Sequence, residues 1–108
     1  MLRTSGPPLL AELRTLLRGF CEKHGIRRLE VFGSAARDEA DPTSDVDMLV
    51  TLDPSKPVTT GQLLEMAGEA EELVGVPVDF VLRESVENSP NHYAREHILA
   101  SAVCVYGS

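Results

Sequence analysis

Between residues 29 and 52 the chain reads LEVFGSAARDEADPTSDVDMLVTL: an apolar run ending on Gly33-Ser34, ten residues rich in charge and turn formers, and a second apolar run entered through Asp45-Val46-Asp47. In an extended strand alternate side chains share a side, so Asp45 and Asp47 project together while Val46 and Met48 face the opposite layer. Two adjacent carboxylates repel each other unless a cation lies between them. Hard oxygen donors suit Mg²⁺ or Mn²⁺, ions that keep waters and complete their shell with substrate phosphates. A third carboxylate is available at Asp79, inside VPVDFVL. Ionised aspartates beside Met48-Leu49-Val50 and between Val78 and Phe80 are costly to bury alone, and a bound metal removes that cost.

Gly33 and Ser34 suit the phosphate end of such a site. Glycine permits a tight turn and close approach of backbone to ligand. If residues 34–38 begin a helix, its free N–H groups and dipole point at an anion. The Ser34 hydroxyl adds an adjustable donor, and Arg37, one helical turn later, reaches the same face and pairs with phosphate. Ser44, at the end of the turn Asp41-Pro42-Thr43-Ser44 that delivers the chain into the second strand, joins these as a phosphate-binding candidate.

The rest of the chain supplies a scaffold. Leu9, Leu10, Leu13, Leu16, Leu17 and Phe20 recur at helical spacing up to His24-Gly25, a stripe that reads as core. Short strands are expected over 28–32, 46–52 and 78–82, with a helical turn over 33–38. A second amphipathic helix over 60–74, carrying Leu63, Met66, Ala67, Ala70, Leu73 and Val74, ends at Gly75. Ser89 is expected to cap a helix with Pro90 at its first position, running toward Leu99 with Ile98 and Leu99 packed inward. Residues 102–106 alternate as an edge strand would. Together these elements predict one α/β (α+β) domain spanning 1–108, with a small mixed sheet of three or four strands packed against helices.

Composition bounds the function. A chain of 108 residues that is 43% hydrophobic can bury a small core. It contains no apolar stretch of membrane-spanning length, so a soluble, cytoplasmic domain is expected. A net charge of −7 disfavours general nucleic-acid binding, because phosphate backbones are held by basic surface. Much of the excess lies in the loop with Asp38, Glu39, Asp41, Asp45 and Asp47, which metal can neutralise. The rest falls largely on Glu65, Glu69, Glu71 and Glu72, a solvated helix face. Cys21 and Cys104 lack metal or disulfide spacing and read as two buried free thiols. His24, His92 and His97 read as surface or cap residues.

The pattern of Gly-Ser, ten residues, Asp-Val-Asp and a later strand aspartate resembles the minimal nucleotidyltransferase (MNT) family of the polymerase beta superfamily. The resemblance implies a nucleoside triphosphate donor, ATP above all, with Gly33 and Ser34 in its phosphate loop. It also implies Mg²⁺ or Mn²⁺ held by Asp45, Asp47 and Asp79, and a polymerase-beta-like fold. Family members often carry a GSxARG-like stretch; here it reads GSAARD, so Asp38 stands where glycine is frequent. Asp tolerates a left-handed backbone better than most residues, so this departure bears on nucleotide affinity more than on fold.

Such proteins are commonly paired with a HEPN partner in toxin–antitoxin modules. The resemblance therefore implies an antitoxin that transfers AMP to a hydroxyl of a HEPN RNase, in a homo- or hetero-oligomeric assembly. The competing expectation is a non-catalytic antitoxin that neutralises its partner by direct contact. An aminoglycoside-modifying relative fits less well, since those enzymes normally carry a further substrate domain.

Overall fold

A computed structural model describes residues 9–33 and 45–107. The first helix, α1 (Leu10–His24), starts where Glu12 reaches back to accept from the Leu9 N–H at 2.8 Å and ends at Gly25, whose φ of +66° suits a left-handed cap. It buries Leu13, Leu17, Phe20 and Cys21. Leu9 and Leu16 from the expected stripe are exposed at 41% and 39%. They flank the stripe, and Cys21 takes a core position in their place.

The chain then runs through β1 (Ile26–Phe32), two residues longer than expected, and β2 (Val46–Leu52), which pairs antiparallel with it. A register shift between Ile26 and Arg28 lets Ile26 and Leu29, three residues apart, both face the core. The helix α2 (Thr60–Val74) is capped by Thr59, whose hydroxyl accepts from the Gln62 N–H while the Gln62 side chain accepts from Thr59. It forms the crossover that a parallel neighbour requires, and β3 (Val78–Leu82) then pairs parallel with β2.

After β3 comes α3 (Arg83–Glu87), a short helix absent from the sequence expectation, and then α4 (His92–Ser101). The cap of α4 is Asn91, which accepts from the Ala94 N–H, so Ser89 and Pro90 lie outside the helix they were expected to start. Ser89 instead accepts from the Asn91 N–H, a local turn that Pro90 within it favours. Ile98 and Leu99 are half-buried rather than core. Finally β4 (Val103–Tyr106) pairs antiparallel with β1, completing a sheet in the order β3-β2-β1-β4.

The two faces of this sheet have different fates. Leu29, Val31, Val46, Met48, Val50, Val78 and Val105 pack with α1 and α2 in one apolar cluster. The alternate residues Glu30, Phe32, Asp47, Leu49 and Asp79 fall on the opposite face by the two-residue period. There α3 packs against β2 and β3 and presents Arg83 to Glu30.

Candidate active site

One ladder row carries the candidate chemistry. Asp47, the second residue of β2, lies opposite Phe32 of β1 on one side and in register with Asp79 of β3 on the other. Adjacent strands lie about 4.8 Å apart, so the carboxylates of Asp47 and Asp79 start from neighbouring positions. Asp45 stands just before β2, where the Val46 N–H donates to the Pro77 carbonyl at 2.9 Å and ties the strand entrances together. Asp45 and Asp79 are exposed and Asp47 is half-buried.

Gly33 follows β1 directly and turns the chain over Asp47. Its φ is +74°, and a Cβ built there would stand 2.9 Å from the Asp47 Oδ2 atom. Any larger residue would therefore meet both backbone strain and the carboxylate. The tight turn expected at Gly33 is present; the approach it makes here is to the Asp47 carboxylate, whereas the expectation was of a ligand phosphate.

The electrostatics match that geometry. Burial raises the Asp47 carboxyl above its ordinary range, and the negative charges of Asp79 and then Asp45 raise it further. Asp47 thus feels both neighbouring carboxylates at the end of the sheet. Among the described residues, no group of three or more His, Cys, Asp or Glu side chains is placed so that together they could hold a metal ion. The donor set still suits Mg²⁺, which takes one or two carboxylates and shares the remaining positions with water and substrate phosphates rather than needing an all-protein cage. Ser34, Arg37 and Ser44, with most of the expected turn over 33–38, lie outside the described residues.

Comparison with known proteins bears on this arrangement. The nucleotidyltransferase domain family matches residues 13–105, nearly the whole chain. This chain belongs to that family. A candidate protein adenylyltransferase of Methanocaldococcus jannaschii is 37% identical over 83 residues, spanning 77% of this chain and 83% of the relative. The protein adenylyltransferase MntA of Thermococcus cleftensis is 36% identical over 67 residues, spanning 62% and 66% of the two chains. A solved structure of a candidate minimal nucleotidyltransferase superposes with a TM-score of 0.66 at 33% identity, covering 89% of this chain and 95% of the other. A toxin–antitoxin structure with AMP-PNP superposes with a TM-score of 0.67, over 88% of this chain and 73% of that one; at 14% identity it supports the fold alone.

This nucleotidyltransferase domain carries a second polar constellation that the sequence reading passed over. Glu30, in β1, is the buried charged residue among the described residues, at 2% exposure. Its carboxylate accepts from the Arg83 guanidinium at 2.6 Å and faces that of Arg28 at 3.4 Å. A signal existed: Glu30 interrupts Leu29 and Val31 on the face that alternation assigns to Asp47. Its partner Arg83 begins a helix that was not expected, so the pairing was not legible. Cys21 is buried as expected, with its thiol pushed up to about 12 by burial and then by Glu22, whereas Cys104 is half-buried; both are free.

Proposed function

We propose that this nucleotidyltransferase domain transfers AMP from ATP to a hydroxyl group of a HEPN-type protein partner, with Mg²⁺ or Mn²⁺ as the ion. The observation that carries the reading is the row of Asp47 and Asp79 beneath Gly33, with Asp45 adding its charge. Family membership and the adenylyltransferase names of the relatives support it.

In this reading Asp45 and Asp47, with Asp79, hold the ion, which when bound neutralises charge on the triphosphate. Gly33 brings backbone close to the phosphates, and Ser34, Arg37 and Ser44 grip their oxygens. The acceptor oxygen attacks the α-phosphorus in line, the bond to pyrophosphate breaks, and the acceptor proton passes to Asp79. Positioning and charge neutralisation supply most of the rate in such transfers. Residues 1–108 act as one domain, and dependence on ATP favours the cytoplasm; no helix among the described residues is long and apolar enough to cross a membrane.

The test is label transfer from α-labelled ATP with Mg²⁺ or Mn²⁺, in the presence of a co-expressed HEPN partner. Label on the partner with wild type, and none with Asp45→Asn/Asp47→Asn, supports the reading. Undiminished transfer by that variant overturns the site. Rescue of the host from the partner by the same variant, with binding intact, would favour neutralisation by contact alone.

A further inference from the structure

An open groove of about 470 Å³ runs between α1 and β4, at the edge of the sheet remote from Asp79. Its walls include Arg14 and Arg18 of α1 and the consecutive residues Cys104, Val105, Tyr106 and Gly107. One face of a strand shows every second residue, so a wall of consecutive residues is the flank of the strand. Among the described residues nothing pairs with that flank, because β4 closes the order β3-β2-β1-β4. Arg14 Nη2 donates to the Cys104 carbonyl oxygen at 3.4 Å, so an edge acceptor of β4 faces the groove.

A free edge offers backbone N–H and C=O groups to an incoming strand, and proteins usually guard such edges with lysine, proline or inward charges. The sequence of β4 is VCVY, which carries neither a charge nor a proline. Its four residues limit what can pair to a short extended segment. Val105 is anchored in the apolar cluster beneath α1, so the strand is held in place before any partner arrives.

Charge selects the occupant. Arg14 and Arg18 are one turn of α1 apart and share one side of the helix. Both are exposed, and neither has a carboxylate partner among the described residues, whereas Lys23, Arg28 and Arg83 all do. No carboxylate lines the groove: Glu12 is turned to the Leu9 N–H, and Glu22 lines another cavity. On a chain of net charge −7 this flank is basic and unneutralised. A second copy of the chain suits it poorly, since its own β4 brings no carboxylate and would carry another Arg14 and Arg18 into the same space. We propose that an extended acidic segment of a partner protein docks here, adding a strand to the free edge of β4 and setting its carboxylates against Arg14 and Arg18. Docking leaves the acidic row uncovered, because Asp47 and Asp79 lie on β2 and β3, beyond β1.

The test uses isotopically labelled full-length protein and NMR with three blocked peptides, each about seven residues long, the length of an ordinary strand. One alternates valine with glutamate, one alternates valine with lysine, and one is the glutamate peptide with its central valine replaced by proline. The expected result is saturable shifts and slowed hydrogen exchange at the β4 amides with the glutamate peptide, weakening as salt is added. The lysine peptide should bind about tenfold more weakly through charge, and the proline peptide about tenfold more weakly through its missing N–H. Arg14→Gln/Arg18→Gln should weaken the glutamate peptide about fivefold, as expected for two exposed ion pairs. Should that variant fail to fold, the proline and lysine peptides still decide the matter on the unaltered protein. Absence of saturation at millimolar peptide, equal binding of the lysine or proline peptide, or displacement by an equal concentration of inorganic phosphate would overturn the assignment. A dimer in sedimentation whose formation protects the same β4 amides would also overturn it, giving the edge to a second copy. Because the readout is binding at β4, failure here is distinct from failure of nucleotidyl transfer.

Discussion

The same face of one sheet treats its carboxylates in two opposite ways. In the middle of the face, opposite Leu49, Glu30 is almost wholly buried, and the protein supplies its counter-charges from Arg28 and Arg83. At the amino end of β2 and β3, Asp45, Asp47 and Asp79 approach one another, and the described residues offer the group no arginine or lysine partner. A carboxylate with a structural task is matched internally, since a buried lone charge costs several kcal/mol. In the proposed function, the unmatched acidic charge is retained to bind a cation from outside. That contrast separates the candidate site from the scaffold more sharply than acidity alone, because the chain as a whole carries a net charge of −7.

Substitution at the acidic row gives the largest expected effect. Asp45→Asn/Asp47→Asn should lower label transfer at least about 10³-fold, equivalent to roughly 4 kcal/mol of barrier, while circular dichroism shows an unchanged fold. At Glu30 the effect should fall on stability instead. Glu30→Ala strands two partly exposed guanidinium groups and should cost about 3 kcal/mol, the lower end for a broken buried pair, measured by urea unfolding. If Glu30→Ala left stability unchanged, the distinction between the matched and unmatched carboxylates would collapse.

Gly33→Ala should sit between these extremes. Its positive φ and the 2.9 Å approach to Asp47 predict a loss of about 1–3 kcal/mol in stability, with transfer reduced through displacement of the Asp47 carboxylate. The pH response of the metal-free protein offers a subtler check. Asp47 has a raised carboxyl pKa in the folded state, so the folded protein binds more protons than the unfolded chain between the two pKa values. The resulting stability is fully present below the unfolded pKa and is lost as pH rises through the folded one. Asp47→Asn should therefore raise the metal-free Tm by a few degrees near neutral pH and reduce the stabilisation that Mg²⁺ gives wild type. The smallest effect concerns the thiols: Cys21, pushed up to about 12 and buried, should resist a thiol reagent at pH 8 in native protein and react only on unfolding.

Elements with strong local signals were legible in the residue order. The strand 46–52, the helix 60–74 with Gly75 at its end and the strand 78–82 occur with the expected bounds, because period, cap and turn residue agree in each. Alternation placed Asp47 on a face for the same reason, and the glycine marked the tight turn after β1. Where local signals competed, the expectation slipped. Ser89-Pro90 and Asn91 both offer a helix start, and Asn91 took the cap. Residues 83–87 are too few to show a helical period, so α3 was invisible.

The residue order alone settled that Asp45, Asp47 and Asp79 stand at strand entrances, and that Gly33 turns the chain immediately after a strand. Those are properties of neighbours along the chain, governed by backbone sterics and the two-residue period of a strand. Only the tertiary structure decided that Asp79 aligns with Asp47, that Gly33 rests on the Asp47 carboxylate, and that Arg83 crosses to Glu30. Register between strands and the seating of a helix on a sheet depend on packing summed over the whole core, where partners 53 residues apart in the chain become neighbours in space.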